Sequence, residues 1–98
     1  MTLVDGAALA LELPEVLEAP HHDRRAFKVS RIFATLPVDE LTMNVRLAPE
    51  EQAMFCRNSA AFAPVNGAWG EQGWTVVDLA AASVDEVAAA LELAHARA

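Results

Sequence analysis

At 98 residues, with 54% apolar and 21% charged side chains, the chain has material for one core and no second domain. No apolar run approaches the roughly 18 residues that a membrane-spanning helix requires. The opening MTLVDG is acidic where a secretory signal is basic, and the lone Cys56 has no partner for an internal disulfide, so a cytoplasmic protein is expected.

Thr2 and Asp5 have capping-box spacing ahead of a first helix, with Leu3, Ala7, Ala10 and Leu11 along its apolar side and Asp5 and Glu12 toward water. Pro14 stops it by removing a donor and crowding the preceding turn. The EVLEAP stretch then reads as a turn-rich connection ending at Pro20. Strands follow. In RAFKV, Ala26 and Lys28 alternate with Phe27 and Val29, and Ser30 is the natural turn. RIFATLP is apolar on both parities and is expected to lie centrally, covered on both faces. LTMNVRL alternates cleanly, with Leu41, Met43, Val45 and Leu47 inward and Thr42, Asn44 and Arg46 outward. The short VDE before it makes these two strands antiparallel neighbours.

PEEQAMFCR predicts a helix with Pro49 at its first position and Glu50 and Glu51 in its first turn, where the helix dipole favours acids. Met54 and Phe55 would face inward. AFAPV is extended, and Pro64 confines it to a sheet edge. WTVVDL is the last strand. Ser83 and Glu86 form a second capping box, and Val84, Val87, Leu91 and Ala94 give the closing helix one apolar stripe. The whole order predicts a single α+β domain over residues 1–98, its antiparallel sheet packed by N-terminal, middle and C-terminal helices.

The segment NGAWGEQGWT holds both tryptophans and three of the four glycines. A phosphate-binding loop would feed a helix N-terminus and carry a lysine; this one feeds a strand and carries Glu71. The expected role is a tight corner: glycines supply positive φ, and Trp69 and Trp74 pack over neighbouring elements.

The net charge of −7 is uneven. Arg24, Arg25, Lys28 and Arg31 against Asp23 make residues 20–31 +3, which leaves −10 for the rest. Such a strip can touch phosphate even on an acidic protein, or it can simply guard a strand edge against pairing.

PHHDRRAFKVSRIFATL, LAPEEQ and PVNGAWGEQGWTVVDL together resemble the MmcQ/YjbR family of small bacterial proteins, over nearly the whole chain from about Leu11. The resemblance implies a two-layer sandwich similar to that of frataxin and CyaY. It also implies a proposed role in DNA binding by analogy with double-wing domains, and no established enzymatic activity. Arg24, Arg25, Lys28 and Arg31 match positions where the family tends to be polar or basic. Between the tryptophans, Glu71 and Gln72 stand where family members often carry basic residues.

DNA contact is accordingly assigned to Arg24, Arg25, Lys28 and Arg31. If all four met phosphates, the slope of log K against log salt would reach about −3.6. The competing reading is a protein- or small-ligand-binding surface at His21, His22, Trp69 and Trp74, with Phe33 beside them. His21 and His22, as strand neighbours, would point to opposite faces and so suit no shared metal ion, even with His95 as a third nitrogen. Asp5 and Glu12 are too far apart for an acidic iron-binding ridge. Cys56 has no histidine near it in sequence, Ser83 is used by its cap, and Glu50 and Glu51 by the helix dipole. The expectation is a monomeric binding module without catalytic residues, metal or cofactor.

Overall fold

The computed structural model describes residues 3–98. Its elements in chain order are α1 (Gly6–Leu11), β1 (Leu17–His21), β2 (Arg24–Lys28), β3 (Ile32–Leu36), β4 (Thr42–Arg46), α2 (Pro49–Asn58), β5 (Phe62–Pro64), α3 (Ala68–Glu71), β6 (Trp74–Asp78) and α4 (Val84–His95). The six strands form one antiparallel sheet in the order β1-β2-β3-β4-β6-β5. This is an α+β fold. Helices α1 and α4 pack on each other and over β3, while α2 lies against β5.

Asp5 caps α1 by accepting from the Ala8 amide at 3.0 Å. Thr2, the other half of the expected capping box, lies outside the described residues. Ala7 and Ala10 are buried as expected, but Leu3 and Leu11 are exposed. The helix is only six residues long, so its apolar stripe is narrower than the spacing suggested.

EVLEAP is not a loop. From Leu17 onward it belongs to β1, paired with β2 from Leu17↔Lys28 to His21↔Arg24. Pro20 is tolerated because β1 is an edge strand. The hairpin is closed by His22 and Asp23, with His22 in the left-handed region at φ 59.

β3 is buried on both parities, but no second layer covers it. Phe27 pairs with Ala34 and Lys28 with Ile32, which leaves Phe33 as the extra residue of a bulge. The bulge turns Phe33 as well as Ala34 toward the helices, where its ring meets His95 edge-on at 5.7 Å. Thr35 faces the other way and is shielded by Arg24. Phe33 is therefore a core residue on the helical side and does not stand beside His21, His22, Trp69 and Trp74 as expected.

Phe27, Met43, Val45, Leu47, Val77 and Leu79 meet Val87, Ala90, Leu91 and Ala94 of α4 in one core. Leu41 was expected inward, but it precedes β4 beside the β3–β4 turn and is 52% exposed. Met54 is likewise on the outer side of α2. At the start of α2, Ala48 has no side chain to cap with; instead Glu51 accepts from the Ala48 amide at 2.9 Å. Ser83 and Glu86 form the expected reciprocal cap on α4, which holds the Glu86 carboxyl below its ordinary range, chiefly through the Ser83 amide.

One face of the sheet is thus closed by helices. Strand alternation places Arg24, Ala26, Lys28, Thr35, Thr42, Asn44, Arg46, Trp74 and Val76 on the other, which among the described residues only the short helix after β5 touches, at the β6 edge.

Candidate functional site

The tryptophan corner is built by backbone contacts. A Cβ on Gly70 would collide with the Val65 carbonyl, and one on Gly73, at φ 110, with the Leu47 carbonyl. The segment also holds the one-turn helix α3, too short to leave a periodic pattern. Gln52 of α2 reaches across with its side-chain nitrogen toward the carbonyls of Gly70 and Trp74, both at 3.0 Å, and the Thr75 hydroxyl at 3.2 Å. Thr75 in turn donates to the Gly73 carbonyl at 2.9 Å, so its buried hydroxyl is satisfied.

This scaffold consumes Trp74 in part and Trp69 hardly at all. Trp69 is 62% exposed, contrary to the expected packing of both rings. The indoles lie 6.5 Å apart with planes at 77°. They form one side of an open groove of about 340 Å³, whose other lining residues include His21, His22, Arg24, Thr35 and Asn44. The two imidazoles converge instead of diverging. His22 is a turn residue with positive φ, so strand alternation does not apply to it, and the rings meet at 4.7 Å. His95 stays on the helical side, bonding the Pro14 carbonyl at 2.8 Å. Among the described residues, no three His, Cys, Asp or Glu side chains converge as a metal site would need.

The four cations assigned from sequence do not share one surface. Arg24 borders the groove, its Nε donating to Thr35 Oγ1 at 2.9 Å; the hydroxyl acceptor orients the guanidinium without neutralising it. Lys28 follows on the same face. Arg25 faces the helical side, forked onto Glu18 at 2.7 and 2.9 Å, with Glu40 at 3.3 Å and the Phe27 ring beneath. That hydrogen-bonded pairing raises the Arg25 pKa and lowers that of Glu18. Arg31 sits at the tip between β2 and β3, at a separate cleft that it lines with Arg46 and Arg97. Arg46, which the charge run did not include, falls on the open face at the end of β4. Among the described residues Arg24, Lys28, Arg31 and Arg46 form no ion pair.

The YjbR family model matches residues 11–97, nearly the whole chain. The chain belongs to the YjbR family. A solved structure of similar fold is that of Deinococcus radiodurans protein DR2400, which carries a DUF419 domain. It is 22% identical, covers 89% of this chain and 70% of its own, and superposes with a TM-score of 0.74. No curated protein matches the chain.

In this YjbR domain the segments that carry the resemblance have separable jobs. In PEEQ, Pro49 starts α2, Glu51 caps it, and Gln52 ties it to the tryptophan corner. Glu51 also receives a forked pair from Arg97, at 2.7 and 2.6 Å, which fastens α2 to the end of α4 and holds the Glu51 carboxyl low. Cys56 is half-buried beside the core, and burial pushes its thiol up, away from reactivity. The two histidines and Trp69 are left without comparable structural work.

Proposed function

We propose that this YjbR domain is a non-catalytic binding module that contacts nucleic acid through the open face of its sheet. The observation that carries this reading is the company of Arg24 and Lys28. They share an uncovered face with His21, Trp74 and Arg46, while the strand residues on that face include one carboxylate, Asp78, at the far end of β6. A face of that sign on a chain of net charge −7 concentrates the protein's attraction for phosphate in one place. Arg25 is withdrawn from it by Glu18 and Glu40. With Arg24, Lys28 and Arg46 as the contacts, the salt slope on duplex DNA falls to about −2.7.

The groove's lining offers two imidazoles but no carboxylate to orient them and no thiol beside them, which supports binding over catalysis. The half-buried thiol and the lack of any helix long and apolar enough to cross a membrane, among the described residues, fit a cytoplasmic setting. A small-molecule ligand is the competing reading, favoured by the groove's volume and exposed indole. It predicts a raised melting temperature with a metabolite mixture and none with oligonucleotides.

The test is anisotropy with labelled oligonucleotides at low salt. Binding should weaken with added salt and disappear in the Arg24→Glu/Lys28→Glu double variant. Absence of binding at low salt removes the reading.

A further inference from the structure

We infer that the groove beside Trp69 and Trp74 receives an unpaired base, so that the nucleic acid this domain prefers is single-stranded. The inference rests on the nucleic-acid reading above and adds to it the form of the ligand.

Trp69 presents more than half of its surface to solvent, on a corner whose backbone is fixed from several sides by Gly70, Gly73 and Gln52. An exposed indole on a fixed stretch of backbone suits a stacking platform: it has a free π-face, and the segment that carries it has little to rearrange on binding. Trp74 stands nearly perpendicular to it at 77°, so a flat ring lying on one indole abuts the other. The floor between the strands carries the side-chain amide of Asn44, with Thr35 beneath the Arg24 guanidinium beside it. On the far side stand His21, His22 and Arg24. Arg24 is oriented by Thr35 and unneutralised, which suits a phosphate one backbone step from the stacked base.

A groove of about 340 Å³ falls at the lower end of the range of small-ligand sites, enough for one base. A duplex would leave it empty, because paired bases hide their faces in the stack and present only edges in the grooves. Stacking on any base also explains how an acidic protein with few free cations could hold a polyanion: part of the affinity is not electrostatic.

The experiment compares labelled dT12, rU12 and a 12-base-pair duplex by anisotropy at low salt, with tryptophan emission followed in parallel. A single strand, DNA or RNA, should bind at least about tenfold more tightly than the duplex and quench the indole emission. Trp69→Ala should weaken single-strand binding about tenfold or more, as loss of a base–aromatic stack does, with Trp69→Phe recovering part of it. The melting temperature of both variants should stay that of the parent, since the ring is exposed. Equal or tighter duplex binding, or single-strand binding indifferent to Trp69→Ala, overturns the inference and leaves the nucleic-acid reading standing. Failure of all three oligonucleotides to bind overturns both.

Discussion

The two faces of the sheet share strands, register and twist, yet they use their side chains in opposite ways. Toward the helices, Phe27, Phe33, Met43, Val45 and Val77 are buried and meet α1 and α4 in a single core. Toward solvent, Arg24, Thr35, Asn44, Arg46 and Trp74 form a polar and aromatic floor that, among the described residues, only α3 borders, with its Trp69 and two imidazoles at the rim. The difference teaches where stability ends and recognition can begin. A side chain already committed to the core cannot be spared for a ligand, whereas one held in place by its neighbours and still exposed can.

The comparison is broken most easily from the covered side. Phe27→Ala opens a cavity in the core and should cost about 3–5 kcal/mol in urea or thermal unfolding. Gln52→Leu is the next largest. It removes the donor shared by the Gly70 and Trp74 carbonyls and the Thr75 hydroxyl, each of which keeps one other hydrogen bond, at a cost of about 0.5–1.5 kcal/mol. Because it loosens the mounting of Trp74, it should also shift the tryptophan emission, which Phe27→Ala in the folded protein should not.

Smaller still is Glu51→Gln. Arg97 holds the folded Glu51 pKa below its unfolded value, so the pair's contribution is present above the unfolded carboxylate range, near pH 4.3, and is lost as pH falls through the folded pKa. The variant should melt lower than the parent at neutral pH, and the gap should close on acidification and narrow in high salt, since Arg97 is exposed. Trp69→Ala closes the series, with stability within about 0.5 kcal/mol of the parent. A large loss there would mean that the open face is structural after all.

Much of this was legible in the sequence because it rests on local rules. The alternation in LTMNVRL, the first-turn proline of PEEQ, the Ser83 and Glu86 cap and the edge position forced by Pro64 each follow from spacing or covalent geometry. The misses share a cause: a long-range partner or a backbone exception. β1 has a proline, an acid and little apolar content, and it becomes a strand only because a two-residue turn folds it onto β2. Phe33 points inward through a bulge, and His22 joins His21 through a positive φ; both defeat simple alternation. Arg24 and Arg25 obey alternation, so their separation onto opposite faces was already implied by adjacency, although their charges read as one strip. Trp69 was the hardest to place. Composition favours packing for an indole, and only the four-residue helix between Gly67 and Gln72 sets it outside.

The most direct measurement is amide and indole chemical-shift mapping of the labelled protein titrated with dT12. The account predicts shifts gathered on His21, His22, Arg24, Thr35, Asn44, Trp69 and Trp74, with α1 and α4 silent. Shifts centred on the helices, or on the Arg31 and Arg97 cleft with the groove unmoved, would contradict it.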